Sequence, residues 1–479
     1  MKKINLVNLI GFVLLFILIY SIYFSSATIQ IKSTLCILCI AIYLWVTELV
    51  AFPVSGLIII SLITLLLGLI PNENGYPLGT QKALALGLRG LSSPSMAMIM
   101  GSLIVASSIQ HTKLDNFIAI KIMSRMKNSP SFILLGCLLV GICFAFLIPS
   151  PTGRTAVLIP ILLGITKYLD TNPQKKFTML VILGAIHISS IWNIGLLTAT
   201  THNVAGLELI TSHYENFKVN WLQWFVIATP ASLLLSIILF FILKQELGDY
   251  KISLNIKKNQ DKIPLTKIQA KLLSYLLALI FLWITEGSLH SLSVSSSMIL
   301  IASVILSPKI GVFDCWKEAE KLLPWGVLIM FGASISLGLT LVDSGASAWL
   351  AEKCFNFVDI SKLAVTTIVI TGVLFTIILH LGFASAASLT FSIMPVYLSL
   401  ADKLTEYTNI NAPAFALIQL FAISIGFILP ANAPQNMLGY ATGIIDIKTF
   451  IRIGIKLTIA TILVFIILAK TWWSNILTM

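Results

Sequence analysis

The sequence predicts an all-α polytopic membrane protein, with about eleven transmembrane helices and two re-entrant hairpins organised as an inverted repeat. Composition is the first reason: of 479 residues, 57% are hydrophobic and 10% charged, where soluble domains carry roughly 25% charged residues. Too little polar surface remains to cover a water-exposed globule. Length is the second, because apolar stretches of about 18 to 22 residues, the span of a helix across the hydrocarbon core, recur along the whole chain. The third is a series of landmarks that recurs in the same order in both halves.

In chain order, full spans are expected near 5–26, 32–50, 53–70, 91–111, 176–199, 218–243, 268–287, 293–308, 324–342, 412–430 and 447–470. Two further apolar blocks, 131–168 and 362–400, are interrupted in the middle, one at Pro149-Ser150-Pro151-Thr152-Gly153 and the other at Gly382-Phe383-Ala384-Ser385-Ala386-Ala387. Either half of each block is short for a full crossing, so each reads as a helical hairpin that dips in and returns. Non-helical backbone at that depth is tolerated only where protein buries it or where it lines a cavity. The two tips therefore line something.

The net charge of +12 is a topology signal and implies no nucleic-acid partner, since membrane proteins collect Lys and Arg in cytoplasmic loops. Placing the N-terminus inside and the C-terminus outside gathers Lys2, Lys3, Arg125, Lys257, Lys258 and most other cations on the inner face. The N-terminal run lacks a small-residue cleavage site and reads as an uncleaved span. Segment 244–267 is then a cytoplasmic linker of solvated charges. Cys36, Cys39, Cys137, Cys143, Cys315 and Cys354 lie mostly in apolar runs without the spacing of a disulfide framework or zinc site. No His-Glu-x-x-His pair and no nucleophile with a positioned base occurs in the spans, which argues against an enzyme.

The repeat is visible in four landmarks. Trp45-Val46-Thr47-Glu48 returns as Trp283-Ile284-Thr285-Glu286; Ser150 and Ser385 each precede a proline, Pro160 and Pro395, by ten residues; and His202-Asn203 corresponds to Gln435-Asn436. In the expected topology the two halves face opposite ways. They divide as an extra helix 1–31, a first repeat 32–243, the linker, a second repeat 268–472 and an outer tail 473–479. Inverted repeats with broken helices are characteristic of secondary transporters, whose substrate and ions bind near the midplane at the repeat interface. Glu48 and Glu286 read as structural partners at span ends, with Trp45 and Trp283 as interfacial aromatics.

At the first tip, Ser150 and Thr152 offer hydroxyls, and a returning half-helix from about Gly153 presents unpaired N–H groups suited to an anion. Arg154 is either an anion partner or a side chain that reaches the headgroups. The second tip keeps Ser385, with Ser388 able to turn inward. Two unwound stretches, Asn193–Asn203 and Pro430–Asn436, free carbonyl and amide oxygens of the kind a hard cation prefers. The candidate substrate residues are thus Ser150, Thr152, Arg154, Asn203, Ser385, Ser388 and Asn436. The candidate cation residues are Ser150, Asn193, Gly195, Thr198, Asn203, Ser385, Asn432 and Asn436. His202 is either a pH-responsive base or a loop histidine without a role.

Taken together, these residues resemble the divalent anion:sodium symporter (dicarboxylate transporter) family over essentially the whole chain. The resemblance is carried by Trp45-x-Thr47-Glu48-x-x-x-Phe52-Pro53, its repeat at Trp283, Pro324-Trp325 before a helix bearing Gly332, and the paired hairpins. It implies a homodimer in which spans 1–4 and 7–9 form a scaffold. The hairpins and spans 5, 6, 10 and 11 would move across the bilayer as an elevator. The family's Ser-Asn-Thr hairpin signature falls on Ser150-Pro151-Thr152, which lacks the Asn, and on Ser385-Ala386-Ala387, which lacks the Asn and the Thr. The Thr-Pro-Pro-Asn loop of sodium-coupled members looks like Thr201-His202-Asn203 and Ala433-Pro434-Gln435-Asn436, again altered. Gly153-Arg154-Thr155 and Leu197-Thr198-Ala199 look more like the exchanger branch, which includes citrate/succinate and 2-oxoglutarate/malate antiporters. The implied function is secondary transport of small di- or tricarboxylate anions across the inner membrane, by exchange or sodium symport. The alternative is an anion receptor, or a transporter of another anion such as sulfate. Small anions, membrane lipids and a second copy are the implied partners; no cofactor is implied beyond sodium as a coupling ion.

Overall fold

The computed structural model describes residues 16–22, 26–47, 49–71, 75–127, 129–166, 172–248, 264–355 and 363–477. Most of the expected first span, the middle of the linker (249–263), Glu48 and the last two residues lie outside the described residues, while the ends of the expected linker are helical, at 244–247 in α10 and Lys267 in α11. In the first half the helices are α1 (Ile29–Thr47), α2 (Phe52–Leu62, extended by a wider turn to Leu67), α3 (Thr80–Leu88), α4 (Pro94–Thr112), α5 (Leu114–Met123), α6 (Pro130–Leu147), α7 (Pro151–Thr166), α8 (Asn172–Gly195), α9 (Thr201–His213) and α10 (Trp221–Leu247). The second half supplies α11 (Lys267–Thr285), α12 (Val294–Leu306), α13 (Trp316–Leu322), α14 (Trp325–Asp343), α15 (Ala346–Phe355), α16 (Val365–His380), α17 (Ala386–Tyr407), α18 (Ala412–Ala422), α19 (Pro434–Tyr440) and α20 (Ile447–Lys470).

Seven described helices are long and apolar enough to cross a membrane, or eight if the pair bent by 45° at Ser93 counts as one. The count falls short of eleven because several expected spans are split or short. α20 shows the physical reason for a membrane setting. Ile455, Ile459, Leu463 and Ile467, four residues apart along one face, are 43–56% exposed, a stripe that water would not tolerate but lipid solvates.

Both expected hairpins form as a helix, a short break and a second helix. In the first, the break is Ile148-Pro149-Ser150 and the return helix begins at Pro151, two residues earlier than expected. Proline suits this first helical position, where no N–H is needed. In the second, the break spans 381–385 and the return helix runs on to Tyr407.

The unwound stretches are shorter than the sequence suggested. α8 continues to Gly195, only 196–200 is broken, and His202 and Asn203 form the first turn of α9. In the second half the chain leaves helix at Ile423 and re-enters at Pro434, so Gln435 and Asn436 are helical, not loop residues. Each segment after a break crosses to the other half: α9 packs on α17, and α19 packs on α7. Glycines permit two neighbouring approaches between the halves, α9 to α18 and α19 to α8, since a Cβ on Gly206 would strike Leu420 and one on Gly439 would strike Ile186.

Trp45 and Trp283, expected as interfacial aromatics, are buried against other helices and 1% and 3% exposed. Trp283 stacks on Trp221 at 5.8 Å, which buries the indole between helices rather than at headgroups. Glu286 accepts the backbone N–H of Trp221 at the start of α10, the structural part expected of it.

Candidate functional site

The first hairpin tip meets the break between α8 and α9. Ser150 caps α7, its Oγ accepting the Gly153 N–H at 3.1 Å, which leaves the hydroxyl hydrogen free to donate. Ser150, Thr152 and Gly153 are half-buried.

Arg154, one residue further on, is fully buried. One terminal nitrogen donates to the carbonyls of Ile148 and Ala199, both at 2.8 Å. The other donates to the Ser189 carbonyl at 2.8 Å and to Asn193 Oδ1 at 2.5 Å. The guanidinium therefore stands where the hairpin tip, α8 and the break converge, surrounded by four neutral oxygens. Its Nε has no partner, and no carboxylate pairs with it among the described residues. A buried charge held only by neutral acceptors is expensive, and the short polar ring of carbonyls is what offsets that cost.

The carbonyls that the break frees are aimed at the protein's own donors. α10 supplies Ser232 Oγ to Ile191, Trp224 Nε1 to Ile194 and Thr229 Oγ1 to Gly195, at 2.8, 3.0 and 3.1 Å. Trp221 Nε1 reaches Thr198 Oγ1 at 3.2 Å. Asn203 Nδ2 closes the rest, donating back to Asn193 and Leu196 at 2.6 and 3.1 Å.

The second half repeats this last device with the same spacing. Asn436 Nδ2 donates to Gly426 and Leu429, ten and seven residues back, at 2.8 and 3.1 Å. Where the first half uses Arg154, the second uses a neutral pair: Asn432 Nδ2 donates to the His380 carbonyl at 2.6 Å, and His380 Nε2 lies 3.2 Å from the Asn432 carbonyl. His380 at the end of α16 was not foreseen from the sequence; its one signal is a histidine five residues before the tip serine. Asn203 Oδ1, Asn436 Oδ1, Ser388 Oγ and Thr155 Oγ1 are buried without partners. Such groups in a native interior point to a ligand or water.

The two breaks also touch. His202 lies 2.7 Å from Thr200 Oγ1 through Nδ1 and 3.2 Å from Ser424 Oγ through Nε2, and Gln435 donates to Ser190 Oγ at 3.0 Å. All of the sequence-derived candidates on the first tip and break (Ser150, Thr152, Arg154, Asn193, Gly195, Thr198, Asn203) fall in one neighbourhood. Asn432 and Asn436 hold the second break, while Ser385 and Ser388 open α17. Space around the first tip is narrow. Pro149 and Thr198 border two voids, one against Leu276, Trp283 and Met298, the other against Met98, Ile99, Ser102 and Thr200. The roomier offers about 10 Å³, of the order of one water position.

Comparison with known proteins agrees with this architecture. The family profile described as "Sodium:sulfate symporter transmembrane region" matches residues 3–479. The chain is 30% identical to a membrane protein of Cupriavidus necator, over 93% of this chain and 88% of the relative. It is 24% identical to the sodium-dependent dicarboxylate transporter SdcS of Staphylococcus saprophyticus, over 88% and 82% respectively. In fold it is similar to the YdaH transporter of Alcanivorax borkumensis and to MtrF of Neisseria gonorrhoeae, an efflux pump. Both align with a TM-score of 0.57 at 14% identity, covering 88% and 89% of this chain and 98% and 96% of those. The protein is an integral membrane transporter, not an enzyme, and it belongs to the divalent anion:sodium symporter family.

Proposed function

We propose that the protein exchanges small di- or tricarboxylate anions across the cell membrane, with a cation of its own standing where a coupling sodium would otherwise sit. The observation that carries this reading is Arg154. Its guanidinium lies among four oxygens, those of Ile148, Ala199, Ser189 and Asn193, and two of them, on Ala199 and Asn193, belong to the stretch Asn193–Asn203 expected to suit a hard cation. The carbonyls of Ile191, Asn193, Ile194 and Gly195 before that break face side chains of α10 and Asn203. The residues present therefore fit a resident guanidinium better than a sodium ion in the first half.

Exchange follows from the same charge. With no acid beside it among the described residues, the guanidinium is a buried cation that a bound anion compensates. Leaving such a charge unpaired costs about 3–5 kcal/mol, roughly a hundredfold or more in the population able to cross empty. The loaded carrier moves and the empty one stays. Ser150 and Thr152 hydroxyls at the tip, and Ser385 and Ser388 at the other, serve as the anion's donors. The narrow voids about Pro149 mean that entry requires the hairpins and α8, α9, α10, α18 and α20 to shift against α4, α11 and α12, as an elevator does. The same reading takes the protein as a homodimer, as the family resemblance implies, and places its N-terminus inside on the cation distribution of the loops.

Sodium symport is the second reading, favoured by the SdcS relative and by the unpartnered amide oxygens of Asn203 and Asn436. Proteoliposomes separate the two. Uptake of labelled succinate, malate or citrate that needs an internal counter-anion and proceeds equally in choline and sodium supports exchange. Uptake into empty vesicles that requires a sodium gradient establishes symport instead. Uptake of sulfate alone, or binding without flux, removes the carboxylate-transport reading.

A further inference from the structure

We propose that His202 is a positioning residue for anion recognition: it holds the Thr200 hydroxyl so that its hydrogen points to the anion, and Ser424 braces the ring from across the boundary between the two halves. The proposal rests on the anion-transport reading above and adds to it a residue that neither hairpin signature contains.

His202 is 3% exposed, at the first turn of α9. Its two ring nitrogens each meet one hydroxyl, Thr200 Oγ1 at 2.7 Å in its own break and Ser424 Oγ at 3.2 Å in the break of the other half. A neutral imidazole has one N–H and one bare nitrogen. The row of hydroxyl, ring and hydroxyl therefore has a direction. When Nδ1 carries the hydrogen, it donates to Thr200, Ser424 donates to Nε2, and the Thr200 O–H is released. When Nε2 carries it, the Thr200 O–H is spent on the ring and the Ser424 O–H is released. One hydroxyl hydrogen is freed at a time.

Thr200 is the one of the two that borders a void beside the first hairpin tip, closed in this conformation and opened to an anion only when the hairpin shifts. It borders the void shared with Pro149, Thr198 and Thr201 and walled by Ser102 of α4. An anion accepts hydrogen bonds only, and this chain is short of donors at its tips, with alanines at 386 and 387 and the Arg154 terminal nitrogens spent on carbonyls. A hydroxyl held open by an imidazole supplies one. An anion at Thr200 selects the Nδ1–H form, and that form requires Ser424 as donor. Binding in the first break thereby organises the second.

The test uses full-length protein in detergent, titrated calorimetrically with succinate, citrate and sulfate, and in proteoliposomes for exchange. Thr200→Val and His202→Phe are each expected to raise the succinate Kd about tenfold, the loss of one hydrogen bond to a charged group, with maximal exchange rate changed less than about twofold. Because His202 acts through Thr200, the double variant should be no worse than either single one. His202→Asn, whose amide can replace Nδ1–H, is expected to restore affinity to within about threefold, whereas His202→Gln, reaching the Nε2 position, is not. Should His202→Phe not fold, the Asn and Gln pair decides the matter. Equal Kd values for wild type and all His202 variants, or effects of His202→Phe and Thr200→Val that multiply, overturn the assignment while leaving the transport reading standing. A wild type that binds none of the three anions overturns both.

Discussion

Arg154 and Asn203 sit 49 positions apart in sequence and do complementary work on one break. The first brings a charge to carbonyls, the second an amide. Replacing Asn203 with Ala should destabilise the protein by about 1–3 kcal/mol, because the carbonyls of Asn193 and Leu196 are left buried and unpaired. Asn436→Ala should cost a similar amount through Gly426 and Leu429. Thermal unfolding of the two variants in the same detergent checks this; a loss confined to one of them would mean that the two breaks are not built alike. Lys113 supplies a different residue-scale case. It joins α4 to α5 with a left-handed backbone, φ 54°, which costs a side-chain-bearing residue about 1–2 kcal/mol. Lys113→Gly should relieve much of that and raise the unfolding temperature. The residues Thr112-Lys113-Leu114-Asp115 break the apolar run there, but nothing in their types announces the handedness of the turn. Arg154 was legible as a charge out of place; its partners were not, because three of the four are backbone carbonyls that no side-chain pattern announces.

Among the elements, the second hairpin is tied more firmly than its poor tip suggests. Tyr397 on α17 donates to the Gly372 carbonyl of α16 at 3.0 Å and shares a 2.6 Å contact with Thr376. Gln419 of α18 donates to the Val369 carbonyl at 3.1 Å. Both arms are thus fastened to each other, and the first arm to the broken helix beside it, so the hairpin and α18 are held as one packed unit. Tyr397→Phe should cost about 1 kcal/mol and raise amide exchange across Val365–His380. Unchanged exchange there would show that packing alone holds the arms together. Hairpins and breaks were readable because Pro, Gly and small polar residues interrupt long apolar runs. The extent of each break was not, since a helix with apolar neighbours on all sides propagates through Asn193 and resumes at Thr201 as soon as its carbonyls find donors, and those donors come from α10.

At the scale of the whole molecule, the halves are joined by crossed packing, α9 on α17 and α19 on α7, and by His202 and Gln435 at the centre. A third link closes one end, where Asp402 of α17 accepts from Tyr214 at 2.8 Å and meets His213 Nε2 at 2.7 Å. That link is partly exposed, so Asp402→Ala should lower stability by less than about 1 kcal/mol, a small shift beside that of Asn203→Ala. Fold class was the most legible feature, because composition and span length constrain it directly. The central claim concerns charge: Arg154 occupies the ground a coupling cation would need. Ion and substrate affinities are reciprocally linked when the two sites are coupled, so the direct test is the Kd of succinate for the purified protein in sodium chloride and in choline chloride at equal ionic strength. The account predicts the same Kd in both salts. A Kd that falls as sodium rises, with no binding in choline, would contradict it.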